Sequence, residues 1–245
     1  MQIGNWIPKN TEKRLSNCKS YTYTVHFFDI NTPFFTVLGY PLSYLEFFGL
    51  VTGIVAVVLS SLANVWSWPV GIANVVLSFF LFYQVQLYPD MLLQVFFFVT
   101  NLMGWWRWTH PAREEEDRKR ELKISHTPPR EALLYAAACT AGITALALFA
   151  QQLHHWLPTV FSQPSAAPYL DSTITILSVA ATFLMIQKRM ECWWVWIAVD
   201  VIATYVYFIR DIKFYSLMYL VFCLIAAFGF FHWMREYRGY NHPTA

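Results

Sequence analysis

The chain predicts an all-α integral membrane protein, with seven transmembrane helices arranged as two parallel three-helix bundles joined by a linker helix. Three observations carry that prediction. Only 13% of the 245 residues are charged while 57% are hydrophobic, and the mean hydropathy is +0.38; soluble domains carry about 25% charged residues. Seven apolar runs are long enough to span a hydrocarbon core, which takes about 20 residues of helix. The first three runs also resemble the last three in the placing of tryptophan, glycine and polar residues.

In chain order, residues 1–33 form a polar amino-terminal segment carrying Lys9, Lys13, Arg14 and Lys19, without the apolar core and small-residue cleavage site of a signal peptide. Residues 34–43 are apolar but too short to span, and are expected to lie along the interface. Spans are expected at 44–64, 69–87 and 91–109 (a first repeat over 44–109), and proline restarts the helix after tight junctions such as NVWSWP and QLYPD. A linker over 110–130 mixes both charges, and a connecting helix follows over 131–157, with its apolar run at 132–156. After a Pro- and Ser-rich stretch at 157–168 come spans at 169–187, 192–209 and 214–234, a second repeat over 168–235, then a tail over 236–245.

The internal match is explicit. A shift of 126 places Trp68 on Trp194 and Asn74 on Asp200, and a shift of 125 places Gln94 on Tyr219, Gly104 on Gly229 and Trp108 on Trp233. The first and fifth spans are four crossings apart, so both triplets run in the same direction, related by an axis along the membrane normal. Lysine and arginine sort by side: the linker, the run QKRMEC and the carboxyl end are richer than the amino end and the 210–213 turn. The richer side is expected to be cytoplasmic, with the amino terminus outside and the carboxyl terminus inside.

Several function classes drop out. The net charge of +2 and the lack of a basic aromatic stripe argue against nucleic acid. The four cysteines are scattered without metal-ligand spacing, and His154 and His155 are adjacent, so they do not share a helix face. No GxxxxGK[ST], HExxH or GxSxG occurs. Glu191 and Asp200, nine residues apart, would stand about 13.5 Å apart along a helix, too far for a carboxylate pair. The chain is therefore expected not to be an enzyme and to need no cofactor or metal.

What remains is a set of polar and aromatic residues inside the spans, where an unpartnered polar group is costly. Helical spacing puts Gln94, Asn101, Trp105 and Trp108 on one face, and Trp196, Asp200, Thr204 and Tyr207 on another. Tyr215, Tyr219, Phe222, Ala226, Gly229 and Trp233 follow the same spacing, and Asn74 shares a face with Gly71 and Ser78. Ser78 and Thr204 read as helix-to-helix glue. Asp200, with no basic neighbour on its helix, either serves a ligand or bonds another helix. Lys188 and Arg189 read as topology charges, and Glu191 as a helix cap or their partner. Expected ligand contacts are Trp68, Asn74, Gln94, Asn101, Trp105, Trp194, Trp196, Asp200, Tyr207, Tyr215 and Tyr219, while Trp66, Trp106, Trp108, Trp193 and Trp233 read as packing or interface anchors.

The stretch WSWPVGIAN, the LQ…NLMGWWRW close of the third span, and KRMECWWVWIAVDVI followed by Y…GFFHW resemble the PnuC family of bacterial nicotinamide riboside transporters, over residues 44–235. That resemblance implies a 3+1+3, SWEET-like architecture in the inner membrane, uptake of the riboside by facilitated diffusion, and a homotrimer with one pathway per protomer. It also leaves relatives carrying thiamine, riboflavin or deoxynucleosides as alternatives, and a ligand-binding membrane protein without translocation as another. The riboside's pyridinium cation suits aromatic faces, and its carboxamide and hydroxyls suit Asn, Gln, Asp and Tyr. A phosphorylated ligand would call for basic groups that these faces lack, so the mononucleotide is expected to be rejected.

Overall fold

The structure is a computed structural model that describes residues 27–29, 32–37, 40–84, 88–117, 119–156, 167–209 and 213–241. Among the described residues are strands β1 (Pro33–Val37) and β2 (Tyr40–Ser43) and seven α-helices: α1 (Tyr44–Ser61), α2 (Ser67–Gln84), α3 (Tyr88–Thr109), α4 (Pro129–Trp156), α5 (Pro168–Ile186), α6 (Cys192–Ile209) and α7 (Lys213–Asn241). A 3₁₀ turn, Arg113–Glu115, lies in the linker.

The helices start where the sequence provides for it. The tetrad Ser43-Tyr44-Leu45-Glu46 closes a capping box on α1. The Glu46 backbone N–H donates to Ser43 Oγ at 3.2 Å, and the Ser43 backbone N–H donates to the Glu46 carboxylate at 2.8 Å. Pro168 opens α5, where its missing N–H costs nothing.

Residues 33–37 and 40–43 depart from the all-α expectation. They pair as a short antiparallel ribbon, Phe35 opposite Leu42 and Thr36 opposite Pro41. Aromatic and β-branched residues fit an extended ribbon better than a helix of so few residues, and Phe34 packs its ring 4.6 Å from that of Tyr44 on α1.

Six of the helices, α1, α2 and α4 to α7, are long and apolar enough to cross a membrane. At 22 residues α3 has the length, but Gln94, Asn101 and Arg107 hold its hydropathy down. Helix α2 packs on both α1 and α3, and α6 on both α5 and α7. The two groups meet where α1 touches α7 and α3 touches α5. Helix α4 touches only α5 among the described elements and leaves Leu133, Leu134 and Phe149 exposed.

The two groups share a detailed local geometry at an offset of 125 residues. The α1–α2 turn has Ala63 at φ 52°, and the α5–α6 turn has Lys188 at φ 51°, both left-handed positions that ordinary side chains avoid. Turn hydrogen bonds recur one for one: Ala63 N–H to Ser60 O matches Lys188 N–H to Met185 O, Asn64 to Leu59 matches Arg189 to Leu184, and Trp68 to Val65 matches Trp193 to Met190. Trp193, rather than the Trp194 suggested by a shift of 126, is thus the counterpart of Trp68. Packing agrees, because Trp68 lies flat against Gly104 and Trp193 against Gly229, where an added Cβ would collide with the indole.

The buried core sits at this turn end. Four indoles run in a chain through it. Trp68 and Trp108 meet edge-on at 5.3 Å, Trp108 and Trp233 at 5.9 Å, and Trp233 and Trp193 edge-on at 5.3 Å. Leu122 and Ile124 from the linker are buried in the same cluster. The linker is therefore more than a charged tether: the alternation Leu122-Lys123-Ile124 turns two apolar side chains inward while Leu122 N–H bonds Trp108 O and Ser125 N–H bonds Lys188 O.

Candidate transport site

The expected ligand residues fall into three groups. Asn74, Asn101 and Trp68 are committed to seams within the first group of helices. Asn74 Nδ2 donates to Gly49 O at 2.6 Å and to Thr52 Oγ1 at 3.2 Å, tying α2 to α1, and Gly53 leaves the space its amide occupies. Asn101 Nδ2 donates to Phe97 O at 2.7 Å on its own helix, while its amide oxygen lies over Gly71 on α2. Trp68 is buried in the indole chain. Gln94 is half-buried on α3.

A second group clusters on α6 and α7. Tyr207 and Tyr219 stack with their planes 7° apart and centroids at 5.3 Å. One turn away on α6, Ser216 Oγ reaches across from α7 to donate to Thr204 O at 2.9 Å. Asp200 is only 4% exposed and has no hydrogen-bond or ion-pair partner among the described residues. Trp196 Nε1 and Thr204 Oγ1 are buried and equally without a partner. Trp193 Nε1, packed in the indole chain, is a fourth such group on α6. Buried polar groups are normally satisfied, and the four-residue spacing of Trp196, Asp200 and Thr204 lines up three of them, one a carboxylate, on one face as a candidate place for water or a ligand. Tyr215 stands in the first turn of α7, and its side chain lies outside the described residues.

The third group is not part of the buried core. Trp105 is 42% exposed and Trp194 57% exposed, as are Trp66 at 64% and Trp106 at 65%. The line that α3 turns inward is Thr100, Gly104 and Trp108, all buried. Trp105 sits one position off that line, because the flat Trp68–Gly104 contact fixes the rotation of α3. A cleft of about 440 Å³ on the outer α3–α5 seam, lined by Leu102, Met103, Trp106 and Arg107, lies apart from these polar groups.

Sequence reasoning missed the chemistry at the turn end. Lys188, read as a topology charge, is fully buried, with its ammonium 4.5 Å from the centroid of the Trp108 ring and 3.8 Å from the Glu121 carboxylate. Burial pushes its pKa below the usual lysine range, and Glu121 pulls it partly back. Arg189 donates to His126 O at 2.7 Å and reaches Glu131. Glu191 neither pairs with these two nor caps α6 alone. Its carboxylate accepts from Thr127 N–H and Oγ at 2.9 and 2.7 Å and meets His126 Nδ1 at 2.8 Å. Burial would raise the Glu191 pKa, but the hydrogen bonds from His126 and Thr127 outweigh it and hold the carboxyl below the usual range.

Fold and site together define a multi-pass helical membrane protein with a matched pair of helix groups, an aromatic core at one end and a buried carboxylate within. The profile described as nicotinamide mononucleotide transporter matches residues 43–235, and the chain belongs to that family. It is 32% identical over 215 residues to the nicotinamide riboside transporter PnuC of Escherichia coli K12, covering 82% of this chain and 89% of the relative. The riboflavin/roseoflavin transporter RibM of Streptomyces davaonensis is 22% identical over 88% of this chain and 96% of its own length. Among solved structures, a vitamin B3 transporter PnuC superposes with a TM-score of 0.60 at 25% identity, over 80% of this chain and 82% of that one.

Proposed function

We propose that this protein carries nicotinamide riboside across the bacterial inner membrane by facilitated diffusion, through a path between two parallel three-helix bundles, α1–α3 and α5–α7, with α4 as the connector. The observation that carries the substrate assignment is the buried Asp200, without a partner among the described residues, on a helix that also carries Trp196 and Tyr207, in spans without basic groups. The sequence holds no lysine or arginine from Tyr44 to Trp106 or from Cys192 to Ile209. A pyridinium cation is met there by a carboxylate and by the stacked Tyr207–Tyr219 pair; a cation over an aromatic face gains about 2 kcal/mol when desolvated. Gln94 and the unsatisfied Trp196 Nε1 and Thr204 Oγ1 supply partners for carboxamide and ribose hydroxyls. A phosphate would bring negative charge beside Asp200 with no cation to offset it, so the riboside is favoured over the mononucleotide of the family's description. The riboside named for the Escherichia coli relative is in accord.

The turn end is read as cytoplasmic, with the amino terminus outside, from the lysine and arginine excess in the linker and after α5 and α7. The resemblance to the PnuC family supports a homotrimer with one pathway per protomer.

Calorimetric titration of the purified protein tests the assignment. Nicotinamide riboside is expected to bind, the mononucleotide not to, and thiamine and riboflavin to bind more weakly. Replacing Asp200 with Asn is expected to weaken riboside binding about tenfold, since it removes the charge that faces the cation. Riboflavin binding more tightly than the riboside would instead support the vitamin chemistry of the Streptomyces relative.

A further inference from the structure

The indole chain is tied across the two helix groups by a reciprocal pair of bonds that packing alone does not require. Trp108 Nε1, from α3, donates to Met185 O at the end of α5 at 3.1 Å. Trp233 Nε1, from α7, donates to Ser60 O at the end of α1 at 3.0 Å. Donors and acceptors are both offset by 125 residues, so each bond is the image of the other. Each acceptor carbonyl also receives the N–H of its own left-handed turn residue, Lys188 or Ala63, at 2.9 and 3.0 Å. Indole and turn are therefore coupled: a shift of either group of helices that breaks an indole bond also disturbs the turn behind it. Together with Trp68 and Trp193, the four indoles join α1, α2, α3, α5, α6 and α7 at one level.

The image fails at one position. Behind Trp233 stands Ala63; behind Trp108 stands Lys188, fully buried, with its ammonium on the indole face and paired to Glu121 of the linker. A buried ammonium is tolerated only with compensating partners, and removing one member of a buried pair leaves the other uncompensated; the Trp108 face and the Glu121 carboxylate are those partners here. The ammonium occupies the aromatic face that a cationic ligand would otherwise take.

We infer that the two indole–carbonyl bonds form the gate closing the turn end of the transport path, and that Lys188, held by the linker through Glu121, is its lock. The inference rests on the transport reading above. In the closed state the ammonium keeps Trp108 seated against Met185 and denies its face to the substrate cation. Opening unseats both indoles, and the two helix groups part at the α1–α7 and α3–α5 contacts. The linker, which also bonds Trp108 O and Lys188 O through its own backbone, has to move with the lock.

Cys192 provides a native reporter, since its side chain is fully buried in the same cluster, directly after the Lys188 turn. In a chain with Cys18, Cys139 and Cys223 changed to Ala, reconstituted without ligand, the labelling rate of Cys192 by a membrane-permeant maleimide reads opening of this end. Lys188→Met, and separately the pair Trp108→Phe and Trp233→Phe, are expected to raise that rate about tenfold, as when a local opening loses one or two hydrogen bonds. Lys188→Arg is expected to restore slow labelling. A companion chain with Cys139 as its only thiol, on α4 away from the gate, is expected to label at an unchanged rate. Unchanged Cys192 labelling in Lys188→Met, or an equal rise at Cys139, would overturn the gate. Because labelling is measured without ligand, riboside binding by calorimetry separates failure of the gate from failure of the substrate assignment.

Discussion

Two glycines fix how the indole chain forms. Gly104 and Gly229 lie so close to Trp68 and Trp193 that a methyl group would meet ring atoms of a fully packed side chain. Gly104→Ala and Gly229→Ala are each expected to destabilise the protein by about 1–3 kcal/mol, the usual cost of overpacking a core, read as a lower unfolding temperature in detergent. Gly49 has open space around its Cβ position, so Gly49→Ala is expected to leave that temperature unchanged or raise it slightly. A uniform response of all three would argue that these glycines serve helix flexibility and not the indole contacts. Residue types and spacing were enough to expect Trp68, Asn74 and Asp200 inside the bundle; the structure buries Trp68 and Asp200 and ties Asn74 to α1. They were not enough to separate Trp193 from Trp194 or Trp105 from Trp108, because on a greasy helix tryptophans one position apart differ by a rotation of about 100° and those three apart by only about 60°. That rotation is set by the glycine contact on another helix, which no local pattern records.

At the scale of elements, the linker holds the largest difference between sequence and structure. From sequence it is a linker of mixed charge, yet Leu122 and Ile124 are buried, and Glu121, Glu191, Lys188 and Arg189 form a clasp between the linker and the α5–α6 turn. The alternating Leu-Lys-Ile was visible, but a three-residue alternation is too short to outweigh the surrounding charge. The clasp carries a pH dependence whose sign follows from Glu191. Its folded pKa lies below the ordinary value of 4.5, so its contribution is fully present above that value and is lost as pH falls through the folded pKa. Glu191→Gln is thus expected to lower stability by about 1–2 kcal/mol at neutral pH, discounted for partial exposure. The difference from the parent protein should vanish in acid. Thermal unfolding of both proteins across pH 3 to 7 checks this, and a difference independent of pH would place the contribution in packing and not in charge. The helices were legible to within about three residues of their ends because long apolar runs, capping residues and prolines all point the same way, except that α7 continues to Asn241 through the stretch expected as a tail, its charges riding on the helix. The β1–β2 pairing was not legible, since a short apolar stretch carries no clear period.

For the whole molecule, the repeat is the organising fact. The same turns, the same glycine–indole contacts and the same indole–carbonyl bonds occur at a constant offset, and two departures from the symmetry carry chemistry. Lys188 stands where Ala63 does at the turn end. Within the span, the 125 offset puts Val75 opposite Asp200, so the carboxylate has no polar twin at its own position; Asn74, one residue away, instead binds α1. A symmetric frame around an asymmetric ligand needs such differences, and a riboside with a cation at one end and hydroxyls at the other is such a ligand. The central claim, that this frame moves nicotinamide riboside and does not merely bind it, is tested most directly by counterflow. Sealed vesicles containing the purified protein and loaded with unlabelled riboside are diluted into a trace of labelled riboside. A transient accumulation of label above equilibrium is expected, unsuppressed by excess mononucleotide. Binding of label with no accumulation, or accumulation abolished by the mononucleotide, would contradict it.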